Sequence, residues 1–327
     1  MTEAPLLSVR HLSVDFIMQD GQMGHALEDV SFDVFHGQTL GLVGESGCGK
    51  TTTLMAIMRL LPANARITTG QVLYNGQDLL SLSERQMRDF RWKEMSIVFQ
   101  GAMNALNPVM RIDEQIGEAI LLHHIMTRSQ AARRVGELME MVGIPRERAG
   151  QYPHEYSGGM RQRAMIALAL ACAPSLLFAD EPTTALDVMI QAQVLELLKQ
   201  IQEKLGLAIV LVTHDLGVVA EVCDSVAVMY GGKVVESGSA DSIYNAPQHP
   251  YTERLLQSFP DLNRPAGSLV SIPGTPPRVT ELPPGCRFEP RCNKRIEICA
   301  TTAPVMLETS SGHRAACHLC QGPAARF

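Results

Sequence analysis

From Gly44 to Thr51 the chain reads GESGCGKT, an unbroken match to G-x-x-x-x-G-K-[ST]. An apolar run, TLGLV (Thr39 to Val43), precedes it and a helix-like run, TTLMAIMRLL, follows. That order is a physical requirement. A buried strand delivers a loop whose glycines let successive backbone N–H groups face a phosphate, and the next helix aims its positive dipole end at the same point. Lys50 then reaches the β- and γ-phosphates and Thr51 places its hydroxyl on Mg²⁺. Gly44, Glu45, Ser46, Gly47, Cys48, Gly49, Lys50, Thr51 and Thr52 are therefore the candidate nucleotide-binding residues of an α/β fold.

A chain of 327 residues with 46% hydrophobic composition exceeds one ordinary compact domain, so a large domain and a smaller one are expected. The 28 basic and 34 acidic residues leave a net charge of −6 without a long basic block, which argues against nucleic acid as partner. The N-terminal residues lack a basic start followed by an apolar stretch, and no 18-residue uncharged apolar run occurs, so a cytosolic location is expected. Of eight cysteines, Cys48, Cys172 and Cys223 are scattered, whereas Cys286, Cys292, Cys299, Cys317 and Cys320 crowd the C-terminal end. In a reducing compartment such crowding reads as metal before disulfide.

Residues 6 to 17 and 30 to 35 alternate apolar and polar side chains, which predicts an antiparallel β layer ahead of the phosphate loop. Phe16, at the end of the first strand, either stacks on an adenine ring or packs in the β core. Asn75-Gly76 signals a two-residue hairpin. SIVFQ (Ser96 to Gln100) is a β-rich run that delivers an amide where a strand meets a loop. Residues 112 to 172 then carry apolar residues at helical spacing, a helical insertion between two strands of the nucleotide core. Its last helix opens with YSGGMRQR, where Ser157 can N-cap and Gly158 and Gly159 leave backbone N–H groups open at the positive helix end. This is either a second phosphate-binding element or an ordinary capped start.

SLLFADEPTTALD (Ser175 to Asp187) reads as a buried parallel strand ending in two carboxylates. Asp180 would hold the Mg²⁺ water shell, and Glu181 could polarise the water that attacks the γ-phosphate. After a helix over residues 188 to 205, LAIVLVTHD brings His214 to the end of another buried strand, and ligands of open α/β sheets bind at the carboxyl ends of strands. A final hairpin is expected through Gly231-Gly232.

The ordered set GESGCGKT, Gln100, YSGGMRQR, LLFADE, ALD (Ala185 to Asp187) and His214 resembles the ATP-binding cassette (ABC) ATPase family over residues 6 to about 245. The resemblance implies a RecA-like P-loop core with an antiparallel β layer and a helical subdomain (about 101–173), within an ATPase domain spanning 1–245. It implies ATP and Mg²⁺ as cofactors, Mg²⁺ being held by Thr51, Gln100 and Asp180. Phe16 becomes the adenine-stacking aromatic, Glu181 and Gln100 catalytic residues, and His214 the γ-phosphate sensor. Cassettes of this family pair head to tail, so Ser157, Gly158, Gly159 and Asp187 join the nucleotide set. The signature departs from the family at Tyr156, where Leu is usual, and at Met160, where Gln is usual.

Beyond residue 245 the composition turns to proline, and residues 260 to 285 read as an extended arm. The last cysteines are spaced C-x5-C-x6-C-x17-C, with Cys320 following Cys317 as C-x2-C. Zinc sites use tight C-x2–4-C pairs, whereas longer spacings suit an iron–sulfur cluster on four thiolates. Free thiols also remain open, and His313 and His318 keep zinc in play. HPYTERLLQSFP, IPGTPP and PPGCRFEPRC resemble the C-terminal extension of ATPase subunits of bacterial oligopeptide and dipeptide importers, the DppD/OppD-like group, which also serves nickel import. The resemblance implies a four-iron four-sulfur cluster on Cys286, Cys292, Cys299 and Cys317, within a small Cys-rich extension over 246–327.

It further implies a second, homologous cassette as heterodimer partner, two transmembrane permease subunits and an extracytoplasmic substrate-binding protein. The chain would then lie peripherally on the cytoplasmic side of the inner membrane. The function implied is an ATP-hydrolysing subunit that energises import of di- or oligopeptides; the rival readings are an importer of nickel or another small solute of the same group, a non-transport ABC ATPase, and a metal or redox sensor. With the phosphate loop placed in a separate domain, nucleotide binding is expected to survive loss of any tail cysteine.

Overall fold

The computed structural model describes residues 4–101, 105–184, 186–258 and 271–320. Ala185 and residues 260–270 of the proline arm, both singled out above, lie outside them. The chain divides into two compact units, residues 1–34, 40–80 and 213–327 in the first and residues 35–39 and 81–212 in the second.

In the first unit, β1 (Leu7–Ile17) pairs antiparallel with β2 (Met23–Val34) and with β4 (Ala65–Tyr74), and β5 (Gln77–Asp78) closes the layer. The alternation seen in the sequence becomes a sided sheet, with Leu7, Val9, Leu12 and Val14 buried. Asn75 and Gly76 both take positive φ, 46° and 79°, as a two-residue hairpin turn between β4 and β5 requires. The phosphate loop follows β3 (Thr39–Val43) and runs into α1 (Lys50–Ile57). β3 is parallel to β9 (Ser225–Tyr230), which turns through Gly231 and Gly232 into antiparallel β10 (Lys233–Ser239).

The C-terminal segment returns to the same sheet. β12 (His313–Ala315) adds to β10 through Glu236↔Ala315, and β11 (Leu307–Ser310) adds to β12. Phe288 is buried within 5.2 Å of Tyr230 and 5.3 Å of Tyr251, ring centre to ring centre, Tyr251 being on α9 (Pro250–Gln257). Residues beyond 245 share the compact unit of the phosphate loop. The physical reason is pairing at a sheet edge. β10 offers backbone N–H and C=O groups that a short polar segment can use without a core of its own. The described part of the arm, from residue 271, carries no helix or strand until the first short turns of the tail, and Val279 O accepts a 2.9 Å bond from His25 N on β2.

In the second unit, β6 (Met95–Val98), β7 (Leu176–Asp180) and β8 (Ala208–Thr213) are parallel and almost wholly buried. Two-sided burial is why they read as unbroken apolar runs. Between β6 and β7 stand α3 (Ile112–Leu122), α4 (Arg128–Met141) and α5 (Gly158–Ala169), the expected helical insertion. Their contact stripe includes Ile116, Ile120, Val135, Leu138, Met139 and Ile166, all buried. α6 (Val188–Leu205) starts on Asp187, whose side chain accepts from Ile190 N at 3.0 Å, and stops at Gly206 with φ 62°.

Candidate functional site

The phosphate loop owes its path to three glycines. Gly44 has φ 152°, and a Cβ there would collide with Met229 O; Gly47 has φ 81° and Gly49 φ 108°. Ser46, Gly47 and Thr51 are exposed on the loop surface, while Lys50 is buried. Lys50 Nζ donates to Gly44 O at 2.6 Å and to Glu45 O at 3.0 Å, so the ammonium is wrapped by the loop that is to receive phosphate. Cys48 is buried beside it, and burial pushes its thiol pKa up despite the Lys50 charge. Phe16 lies half-buried on β1 opposite Gly24 and Ala65. His214 is exposed just after β8, and Asp215 beside it N-caps α7 (Leu216–Val222), accepting from Gly217 N at 2.8 Å.

The acidic elements belong to the second unit. Asp180 ends β7 and is buried. Glu181 follows with φ 46°, a left-handed backbone that a glutamate adopts at a cost of about 1–2 kcal/mol. Its N–H donates to Val212 O at 2.9 Å, and its Oε2 accepts from Gln100 Nε2 at 2.7 Å and from Thr184 Oγ1 at 2.9 Å. The structure thus brings together two of the residues picked from the sequence, Gln100 and Glu181. Ser157 caps α5, accepting from Met160 N at 3.3 Å, and Gly158 and Gly159 form the first helical turn. Gly159 has a second reason to be glycine, since a Cβ would stand 2.8 Å from Ile190 Cγ2 on α6.

Tyr156 explains its own departure from the signature. It is buried, its phenol donates to Arg148 O at 2.9 Å, and the Arg148 guanidinium lies 5.5 Å from its ring centre. Burial pushes the phenol up to about 12.

Sequence reading missed the partners of Glu45. Arg291, 246 residues away in the chain, makes a two-pronged ion pair with its carboxylate, and Tyr251 Oη accepts from its N–H. Arg287 pairs with Glu28 and donates to Gly231 O. No local pattern in the tail marks either arginine, because their partners are set by how the tail folds back.

Cys286, Cys292, Cys299 and Cys317 line one small cavity together with His249 and His318. Cys320 does not line it; its thiol donates to Gln248 O at 3.6 Å and to Cys317, which holds the Cys317 thiol below its usual range. Among the described residues no group of three or more His, Cys, Asp or Glu is arranged to hold a metal ion. The expected iron–sulfur or zinc centre thus gains no support from a converged ligand set, and His313 is not among the residues that line the cysteine cavity. Its Nε2 lies 2.7 Å from Oε1 of the buried Glu236, which also accepts from Gln248 N and His249 N.

Two family models match the chain, one described as ABC transporter over residues 27–184 and one as oligopeptide/dipeptide transporter, C-terminal region, over residues 235–299. The dipeptide transport ATP-binding protein DppD of Bacillus subtilis is 48% identical over 317 residues, 96% of this chain and 94% of that protein. The oligopeptide transport ATP-binding protein OppD of Salmonella typhimurium is 45% identical over 323 residues, 97% of this chain and 96% of that protein. Among solved structures, the dimeric structure of MJ0796, a bacterial ABC transporter cassette, matches with a TM-score of 0.64 at 27% identity, covering 72% of this chain and 98% of that one.

Proposed function

The chain belongs to the ABC transporter ATP-binding proteins of the dipeptide and oligopeptide group, and from that premise we propose that it is the ATP-hydrolysing subunit energising import of di- or oligopeptides through a permease pair. The observation that carries peptide over other cargo is that the likeness to DppD and OppD runs through the tail as well as the cassette, with residues 235–299 matching the oligopeptide/dipeptide transporter C-terminal region. The two matches, 27–184 and 235–299, also support a reading of the chain as a cassette followed by a distinct C-terminal part.

In this reading the loop Gly44 to Thr52 takes the phosphates of ATP, with Phe16 against the adenine. Lys50 exchanges the carbonyls of Gly44 and Glu45 for phosphate oxygens. Thr51, Gln100 and Asp180 would hold Mg²⁺, which when bound neutralises charge on the β- and γ-phosphates. Glu181 orients the attacking water, and its hydrogen bond from Gln100 supports that role by fixing the carboxylate. His214 senses the γ-phosphate. Ser157, Gly158, Gly159 and Asp187 serve the nucleotide of a second, homologous cassette. Among the described residues no helix is long and apolar enough to cross a membrane, which accords with a peripheral place on two permease subunits at the cytoplasmic face of the inner membrane, fed by a substrate-binding protein.

The test is reconstitution with the two permeases in vesicles. ATP-dependent uptake of a dipeptide or oligopeptide is expected with the parental chain and lost with Glu181→Gln. Uptake that ignores this substitution, or a complex that moves nickel and no peptide, overturns the assignment.

For the tail, the reading kept is a four-iron four-sulfur cluster on Cys286, Cys292, Cys299 and Cys317. What supports it is that these four thiols line one cavity. Bound there, it would cross-link the tail to itself. Anaerobically prepared protein should contain iron and acid-labile sulfide; one equivalent of zinc and no iron would overturn the cluster.

A further inference from the structure

Glu45 is the second residue of the phosphate loop, and nothing in phosphate binding calls for an acid there. A bare carboxylate beside the polyphosphate of a nucleotide would repel it. In this chain the carboxylate is not bare. Arg291 Nη1 lies 2.6 Å from Glu45 Oε2 and Arg291 Nη2 3.0 Å from Glu45 Oε1, the fork geometry that only a guanidinium offers.

Arg291 is itself held in place. It is buried, its Nε donates to Pro273 O at 2.8 Å, its Nη1 donates to Tyr230 Oη at 3.2 Å, and its guanidinium lies 5.8 Å from the Tyr230 ring centre. Burial works against its charge, but the hydrogen bonds with Glu45 and Tyr230 outweigh this and hold its pKa above the ordinary value. Tyr251, from α9, fixes the same loop residue by accepting from Glu45 N at 2.8 Å. Glu45 O receives Lys50 Nζ at 3.0 Å. The first turn of the loop is thus tied by its N–H and its carboxylate to residues beyond 245, and by its carbonyl to the lysine that must turn to phosphate.

We propose that Arg291 is a positioning residue for nucleotide binding: by neutralising Glu45 and fixing the first turn of the phosphate loop, it sets the affinity of that loop for the phosphates of ATP. The inference rests on the reading of Gly44 to Thr51 as the nucleotide loop. It makes the C-terminal segment part of the nucleotide site rather than an independent appendage.

The test measures the Kd for Mg-ATP by titration calorimetry on the full-length chain. Arg291→Ala is expected to weaken binding about tenfold, the loss of hydrogen bonds to a charged group that is left unpaired within the phosphate loop. Arg291→Lys, which keeps the charge and loses the fork, should fall between. Adding Glu45→Gln to Arg291→Ala should recover most of the affinity, because the unpaired charge is gone; a merely structural arginine would leave the double variant as weak as the single one. An unchanged Kd in Arg291→Ala, or a double variant no better than the single, overturns the proposal. Should Arg291→Ala fail to fold, Arg291→Lys carries the same comparison, and its Kd must improve when Glu45→Gln is added. Lys50→Ala separates the two readings. If it leaves Mg-ATP binding intact, the nucleotide loop itself is misassigned; if it abolishes binding while Arg291→Ala does not weaken it, only the present inference fails.

Discussion

Glu181 joins a left-handed backbone, φ 46°, to a carboxylate held by Gln100 and Thr184. Strain that the surroundings impose on one side chain is the mark of a preorganised group. Replacing Glu181 by Gln keeps the acceptor oxygen and removes the base proposed above, so ATP binding should stay near normal while turnover falls about 10²–10⁴-fold. Single-turnover and steady-state ATPase assays of the assembled transporter check this, and parental turnover would remove Glu181 as the base. Tyr156 makes the complementary case of a residue whose role is packing. Tyr156→Phe should cost about 1 kcal/mol in chemical denaturation by orphaning Arg148 O, with nucleotide affinity unchanged. The path of the loop between β3 and α1 and the place of Glu181 after β7 were legible because loop chemistry constrains residue type within a few positions. Arg291 was not, since its constraint comes from Glu45, 246 residues away.

Helix ends and hairpins followed local rules closely. Asp187 and Gly206 bound α6 where the pattern put it, and Asn75-Gly76 and Gly231-Gly232 turn their hairpins. Close approach between helices is not a local property. Gly159 carries nothing in its neighbours to say that Ile190 of α6 will lie against it. Gly159→Ala should therefore destabilise the chain by about 1–3 kcal/mol, and Ile190→Ala in the same chain should relieve part of that; equal losses in single and double variants would show the contact to be slack. α9 offers a pH effect. His249 is buried, accepts from Tyr251 N through Nδ1 at 3.0 Å, and is pushed down to about 4 by burial. Its folded pKa lies below the unfolded value of about 6.5, so the unfolded chain binds the extra proton between the two. The stability this neutral imidazole contributes is complete above about pH 6.5 and is lost as pH falls towards 4, up to about 3 kcal/mol. Melting temperature against pH should show that slope, and His249→Asn, which keeps a cap without titrating there, should flatten it.

In the unit that holds the phosphate loop, one buried carboxylate ties the tail to the core. Glu236 on β10 accepts from Gln248 N, His249 N and His313 Nε2, joining β12 and the start of α9 to the strand beside β9. Glu236→Ala would leave three donors unmatched, two of them on the buried residues His249 and His313, and a loss of about 3–5 kcal/mol is expected. Limited proteolysis should then release the segment beyond residue 245 much sooner than in the parental chain; an unchanged digestion rate would show that the sheet pairing alone holds it. Arg291 and Tyr251 both reach Glu45, so the tail touches the phosphate loop through these two side chains. By itself, the sequence determined everything governed by short-range chemistry: the phosphate loop, the strand-end carboxylates, the helical insertion, the turns and the caps. Each depends on neighbours within a few residues, where dihedral preference and hydrogen-bonding range leave few solutions. Tertiary structure alone decided that the tail extends the sheet carrying the phosphate loop and grips Glu45, because an exposed strand edge and a lone carboxylate accept any segment with the right groups. Which segment arrives there is settled by long-range packing, in which Phe288 buries against Tyr230 and Tyr251.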